Sequence, residues 1–373
     1  MKNVLVVAGE ASGELYGAEL VRELRARTDN LAFWGAGGER MEKEGVEILF
    51  PIRDFSVLGF SEVALRVPFF LRALSRMRKE IRRRRPAAVV LIDFPGFNLR
   101  LARAAASESV PVVYYVAPQA WAWGAGRVRA LRELVRVLLV ILPFEETFFR
   151  ARGVPVRFVG HPLVDLARPS GTPGEFRERR EILESQTIIG LFPGSRAHEV
   201  ERLLPVMTRT IRRLADEGFP VAPLIGAAPT LDDVVYRRSD AGQTPLLRGE
   251  TYDLLAASGF ALVASGTMTV EAVCVGTPMA VLYRVSPISW MIGKRLVRVP
   301  HVGMVNLLAG ERLAPEFLQG DAAPDRLLPV AREWLLHPER LEAMRARIRA
   351  VKETLGEGGA SGRAAEEVLR ILE

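Results

Sequence analysis

What most constrains this chain is a pattern it carries twice: strand-length apolar runs, each ending in small or polar residues, separated by stretches with helical spacing. In the first half the runs fall at 4–8, 31–34, 46–51, 87–93, 110–116, 137–142 and 156–159. A stretch rich in Pro, Gly, Arg and Glu at 164–185 interrupts them, and they resume at 187–192, 221–225, 245–247, 260–264 and 278–283. Apolar strands that alternate with helices form parallel sheets covered on both faces, with ligands at the C-terminal ends of the strands. The pattern therefore predicts an α/β chain of two doubly wound, Rossmann-like domains, 1–165 and 166–356, and its 373 residues exceed what one core usually covers. From 324 onward the spacing is helical, with a break at Gly356-Glu357-Gly358-Gly359. The last helix, 357–373, is expected to return to the first domain.

Hydrophobic residues at 49% and charged residues at 25% exclude a disordered chain, and a net charge of +7 points to an acidic partner: nucleic acid, anionic lipid or a phosphorylated substrate. The absence of RNA-binding aromatic motifs and Cys/His finger patterns argues against nucleic acid. The single cysteine, Cys274, has no partner for a disulfide or a metal site and reads as a small buried side chain in a reducing compartment. Lys2 leads directly into a strand-length run without a signal-peptide pattern, and the longest apolar run, 137–144, falls short of the roughly 20 residues a bilayer span needs. The histidines (His161, His198, His301 and His337) show no ligand spacing and there is no Asp-x-Asp pair, so neither a catalytic metal nor a cofactor is expected.

Several stretches at predicted strand ends carry chemistry. Gly9-Glu10-Ala11-Ser12-Gly13 follows the first strand, but its spacing is neither G-x-G-x-x-G nor a P-loop. It reads either as a ligand loop with Glu10 and Ser12 as polar contacts and room for a ligand at Gly13, or as a strand-to-helix turn. Pro193-Gly194-Ser195-Arg196 brings backbone N–H groups, a hydroxyl and a guanidinium to one spot, as a phosphate requires; the plainer alternative is a solvated turn. Ser265-Gly266-Thr267 sets a helix N-terminus against an anion. Glu271, about one turn further on, would accept hydrogen bonds from ribose hydroxyls or merely complement the helix dipole. Asp93, ahead of Phe94-Pro95-Gly96-Phe97-Asn98, is a helix cap, a loop acceptor or a general base with equal weight. The apolar stretch 55–70 includes Val57, Leu58, Phe60, Phe69 and Phe70 among a dense set of cations, Arg66, Arg72, Arg76, Arg78, Lys79 and Arg82 to Arg85. It is either core or an interfacial membrane patch. Trp121 and Trp123 read as core.

Taken in order, these stretches resemble the lipid-A-disaccharide synthase family. The resemblance rests on Ala8-Gly9-Glu10-Ala11-Ser12-Gly13, Val57-Leu58-Gly59-Phe60, Asp93-Phe94-Pro95-Gly96-Phe97-Asn98, Tyr115-Val116-Ala117-Pro118-Gln119 with Trp121-Ala122-Trp123, and Leu142-Pro143-Phe144-Glu145. It continues through Phe158-Val159-Gly160-His161-Pro162, Pro193-Gly194-Ser195-Arg196 with Glu199, Ala264-Ser265-Gly266-Thr267 with Glu271, and Asn306-Leu307-Leu308. Glu14 stands where the family usually has Asp, Tyr16 occupies a variable position, and Met268 and Val270 replace smaller or similar apolar residues around the helix start.

The resemblance implies a GT-B glycosyltransferase whose two domains face an interdomain cleft. Its reaction would join UDP-2,3-diacylglucosamine to 2,3-diacylglucosamine 1-phosphate (lipid X), releasing UDP and a β-1′,6-linked disaccharide. It also implies a cytoplasmic enzyme of lipid A and lipopolysaccharide biosynthesis, held peripherally at the anionic inner membrane of a Gram-negative bacterium. On this reading Gly194, Ser195, Arg196, Ser265, Gly266, Thr267, Glu271 and Asn306 bind UDP, while Glu10, Ser12, Gly13 and Gln119 face the acceptor. Asp93 is preferred to Glu10 as general base. Val57, Leu58, Phe60, Phe69, Phe70, Arg72 and Arg76 form the membrane patch, and a homodimer is left open. The alternatives are another GT-B enzyme using UDP-N-acetylglucosamine, such as an epimerase or a lipid II-type transferase, and a non-enzymatic basic binder of lipid or RNA.

Overall fold

The computed structural model describes residues 1–55, 60–122, 126–296 and 299–373, so Val57, Leu58 and Trp123 lie outside the described residues, as does the side chain of Phe60. The chain forms two compact units, Met1–Pro162 with Leu355–Glu373, and Leu163–Thr354.

The first unit is built on strands β1 (Lys2–Ala8), β2 (Leu31–Gly37), β3 (Val46–Pro51), β4 (Ala88–Ile92), β5 (Val112–Tyr115), β6 (Val137–Val140) and β7 (Val156–Phe158). They are all parallel and lie in the order β3-β2-β1-β4-β5-β6-β7. The central strands are buried on both faces, as continuous Val, Ile and Leu runs require, and residues 4–8 of β1 have no exposed surface. The strand order reverses between β1 and β4, where Ala8 pairs with Ile92. In such sheets the crevice beyond the carboxyl ends of the two strands flanking the reversal is where ligands bind.

The second unit repeats the plan with β8 (Thr187–Phe192), β9 (Val221–Ala227), β10 (Leu246–Arg248), β11 (Phe260–Ala264), β12 (Met279–Tyr283) and β13 (Glu316–Leu318), in the order β10-β9-β8-β11-β12-β13. Its reversal falls between β8 and β11, where Phe192 pairs with Val263. The sequence reading has no counterpart of β13, whose three residues include only one buried apolar side chain, Phe317, and so leave no periodic trace. The stretch at 164–185 holds two short helices, Leu163–Leu166 and Pro173–Arg179, and the buried Asp253 carboxylate accepts the N–H groups of Ser170 and Gly171 at 2.8 and 3.1 Å.

Helices Pro324–Leu336 and Pro338–Thr354 belong to the second unit, whereas Ala360–Leu372 lies on helix Ala11–Arg27 of the first, burying Ala364, Ala365 and Val368. Among the described residues no helix is long and apolar enough to cross a membrane.

Candidate active site

The reversal in the first sheet places the first loop and the Asp93 loop side by side, because β1 runs out at Ala8 and β4 at Ile92. Helix Ala11–Arg27 starts three residues after β1 ends. Glu10 is its exposed N-cap residue, without a capping side-chain bond, and Ser12 and Gly13 already lie in its first turn. The stretch leads from β1 straight into the helix, and the tight packing at Gly9 has an identifiable cause. A Cβ at Gly9 would meet the Phe94 ring at 2.3 Å, so the missing side chain lets the Asp93 loop close against β1.

Asp93 and Phe94 carry φ angles of 45° and 47°, two consecutive left-handed residues that both have side chains. Their backbone is held from three directions. The Tyr114 hydroxyl donates to the Asp93 carbonyl at 2.6 Å, the Asn98 side-chain amide donates to the same oxygen at 2.9 Å, and the Asp93 N–H donates to the Tyr115 carbonyl at 3.0 Å. Burial holds the Tyr114 hydroxyl well above its ordinary pKa, so it stays a donor. The strained conformation is thus held by β5 and by helix Pro95–Ser107.

Two titratable neighbours interact with Asp93. Arg127 is partly buried, which lowers its pKa, while the charge of Asp93 favours its protonated form. Glu145, 2% exposed, follows β6 in helix Pro143–Arg150; its carboxylate accepts from Trp121 Nε1 at 3.0 Å and from the Leu142 N–H at 3.3 Å. Burial pushes this carboxyl up to about 8; the two hydrogen bonds oppose that shift, and the charge of Asp93 adds to it. The sequence reading assigned no role to Glu145, Tyr114 or Asn98. The available signal for Glu145 was an acid directly behind the apolar run 137–144. Gln119 is exposed after β5.

In the second unit the reversal brings the Gly194–Arg196 turn, after β8, beside the Ser265–Thr267 turn, after β11. The first of these differs from expectation. The Glu199 carboxylate accepts the backbone N–H groups of Ser195 and Arg196 at 3.0 and 3.2 Å and Arg196 Nη1 at 3.3 Å, so a protein anion occupies the nest intended for a phosphate. What the turn presents outward is the Arg196 side chain, 49% exposed, and the exposed Ser195. Gly266 caps helix Thr267–Val275, and both Gly266 and Thr267 are exposed at its positive end. The Ser265 hydroxyl donates to the Val302 carbonyl at 2.8 Å, and Glu271 lies beyond the first turn of the helix, partly exposed.

Asn306 is a correction. It has no exposed surface, and its side chain is fully engaged with the Ala314 carbonyl, the Ala314 N–H and Glu316 Oε1, all at 2.8 Å. It cannot touch a nucleotide directly; it secures the loop before helix Met304–Ala309, whose Val302 and Gly303 N–H groups also reach Glu316.

The proposed membrane patch is also corrected in part. Phe69 and Phe70 are half-buried and stack around the buried Phe55 at 5.5 and 6.0 Å, together with Phe94 and Phe97 at 5.7 and 5.4 Å. These rings form the floor beneath the Asp93 loop, because helix Phe60–Arg84 turns its Ala73, Met77 and Ile81 face inward. Among its described side chains, the exposed large apolar ones are Val67 and Leu71, with Arg72 and Arg76 nearby. Arg83 and Arg84 are paired with Glu80 and Glu47, and Arg82 with Glu108, so they belong to a surface ion network. Among the described residues no group of three His, Cys, Asp or Glu side chains is gathered as a metal would need.

With this geometry in place, comparison with known proteins is decisive. The family model for lipid-A-disaccharide synthetase matches residues 4–368. The chain belongs to the lipid-A-disaccharide synthase family. It is 42% identical to the lipid-A-disaccharide synthase of Syntrophus aciditrophicus, over 100% of this chain and 98% of that one, and 43% identical to that of Myxococcus xanthus, over 99% and 97%. Among solved structures it shares its fold with a UDP-GlcNAc 2-epimerase from Neisseria meningitidis, at a TM-score of 0.67 and 14% identity over 99% of this chain and 100% of that one. It shares it also with the calicheamicin glycosyltransferase CalG4, at 0.63 and 16% over 100% and 98%. Membership of the family makes the chain a glycosyltransferase of the GT-B fold, with one Rossmann-like sheet in each unit.

Proposed function

We propose that the chain makes the lipid A disaccharide by transferring the diacylglucosamine of UDP-2,3-diacylglucosamine to the 6-hydroxyl of 2,3-diacylglucosamine 1-phosphate. The observation that carries the mechanism is Asp93, held in a strained left-handed backbone at the reversal of the first sheet. Its carboxylate takes the proton of the 6-hydroxyl as that oxygen attacks the anomeric carbon from the face opposite UDP. The bond from that carbon to the diphosphate oxygen breaks with its electron pair on UDP, which gives inversion and a β linkage. Arg196, with Gly266 and Thr267 at the start of their helix, stabilises the charge that grows on the departing diphosphate. Glu271 accepts from the ribose hydroxyls, and Glu10, Ser12, Gly13 and Gln119 line the acceptor side.

A UDP-sugar substrate accords with the neighbours named for UDP-GlcNAc, and with the UDP-glucose complex of Anabaena HepE, which has the same fold at a TM-score of 0.57. Both substrates carry acyl chains, so the chain would work in the cytoplasm at the inner-membrane surface. Its contact there would be the exposed Val67 and Leu71, with Arg72 and Arg76.

The test is an assay with radiolabelled UDP-2,3-diacylglucosamine and the 1-phosphate acceptor. The expected products are one UDP per labelled disaccharide; an isomerised UDP-sugar formed without acceptor, or no disaccharide, would overturn the reading. Asp93→Asn should lower turnover about 100- to 10,000-fold while UDP still binds, and near-normal turnover would remove Asp93 from the role.

A further inference from the structure

Helix Pro287–Leu296 of the second unit follows β12 and carries two of the most exposed large apolar side chains among the described residues, Ile288 at 68% and Met291 at 53%. Three residues apart, they share one helix face. Trp290 beside them is partly exposed, and the exposed Lys294 and Arg295 close the helix. Along the sequence, the charge flanking it has one sign. The chain has 44 acidic residues but none between Glu271 and Glu311, an interval that contains Arg284, Lys294, Arg295 and Arg298. Exposed apolar side chains with a tryptophan, flanked by cations that no nearby carboxylate in sequence neutralises, match an anionic bilayer surface in both hydrophobicity and charge.

We propose that helix Pro287–Leu296 is a membrane-contact element of the second unit, seating Ile288 and Met291 among the acyl chains of an anionic bilayer while Lys294 and Arg295 pair with its headgroups. The assignment is separate from the helix of the first unit that bears Val67 and Leu71. It does not depend on the reaction, because bilayer binding is read without substrate. A helix this short gives reversible attachment that weakens as salt is raised.

The experiment is co-sedimentation of the full chain with phosphatidylglycerol/phosphatidylcholine vesicles and with phosphatidylcholine alone, comparing the parent with Ile288→Ser/Met291→Ser and Lys294→Gln/Arg295→Gln. Each double variant should lose about fivefold or more of its partitioning onto the anionic vesicles. Thermal midpoints and activity on detergent-dispersed substrate should be unchanged. Trp290 emission, taken as the difference between the parent and Trp290→Phe, should shift to the blue when vesicles are added. Unchanged partitioning of both double variants would overturn the proposal. So would a changed sedimentation coefficient, which would make the face a contact between copies. Unchanged partitioning with a raised KM for dispersed lipid substrate would instead assign the face to substrate chains.

Discussion

A carboxylate becomes a useful base only when something fixes its direction, and at Asp93 that is the backbone. Left-handed φ angles at Asp93 and Phe94 cost about 1–3 kcal/mol each for residues with side chains, so they persist only because their surroundings over-determine them. In Tyr114→Phe the 2.6 Å hydrogen bond to the Asp93 carbonyl disappears while the Asn98 amide still reaches the same oxygen. The fold should survive a net loss of about 1 kcal/mol, but kcat should fall about tenfold with KM within about twofold, because aim rather than binding is impaired. Steady-state kinetics checks this, and an unchanged kcat would mean that Asn98 alone fixes the loop. The neighbouring Glu145 gives a pH signature. Burial raises its carboxyl to about 8, whereas an unfolded glutamate titrates near about 4.3. Between those values the folded chain holds a proton that the unfolded chain has released. The associated stability is therefore full below about pH 4.3 and is lost as pH rises through about 8, at no more than about 1.4 kcal/mol per pH unit. His161 acts with the opposite sign: burial lowers it to about 3, so its contribution falls as pH drops below about 6.5. Subtracting the parent's unfolding free energy from that of Glu145→Gln isolates the first effect. The difference should rise from pH 5 to pH 8 in urea titrations, and a flat difference would mean that Glu145 is ionised in the folded chain.

At the scale of an element, the strand-to-helix turns decide what each unit can bind, and Gly194 shows how little freedom such a turn has. Its φ is 116°, and a Cβ there would lie 2.3 Å from Glu199 Oε2. Gly194→Ala should therefore displace the carboxylate that organises Ser195 and Arg196, at about 1–3 kcal/mol in stability. UDP affinity, read by calorimetry, should fall about tenfold, the equivalent of about 1.4 kcal/mol. Unchanged affinity would detach this turn from nucleotide binding. These turns also mark the limit of what was legible in the sequence. The strands could be read because buried parallel strands are continuous apolar runs, and β3, β8 and β11 begin and end at the predicted residues. The strand reversals follow from topology, which no local pattern encodes, so only the structure shows which loops become neighbours. Glu199 entering its own turn, Asn306 facing inward and Phe69 packing on Phe55 are choices of side-chain direction. Residue type alone left each of them open: a glutamate seven residues after a strand end serves a phosphate site or blocks it, depending on one rotamer.

For the whole chain, the discontinuity of the first unit has an energetic consequence. The chain leaves that unit after Pro162 and re-enters it at Leu355, and the two passages are tied together. The His161 N–H donates to the Leu355 carbonyl at 2.9 Å. Arg363, in the first turn of helix Ala360–Leu372, donates to the carbonyls of Val159 at 2.9 Å, Glu357 at 2.9 Å and Gly358 at 2.8 Å. One guanidinium thus fastens the outgoing passage to the returning one and fixes the last helix on Ala11–Arg27, the helix whose N-terminus carries Glu10 and Ser12. A geometry assembled by residues more than 300 positions apart depends on this fastening, since the first unit cannot complete its surface until the chain has finished the second. Arg363→Ala removes charge-assisted donors from three carbonyls, of which Glu357 and Gly358 are open to water and the Val159 residue is buried. The expected loss is about 2–3 kcal/mol, smaller than three independent bonds would suggest because water replaces part of it. Urea unfolding should show the midpoint shift. Hydrogen exchange should accelerate in helices Ala11–Arg27 and Ala360–Leu372 and leave Ala197–Asp216 of the second unit unchanged. An unaltered midpoint with unaltered exchange would assign the attachment to the apolar face of Ala364, Ala365 and Val368 alone.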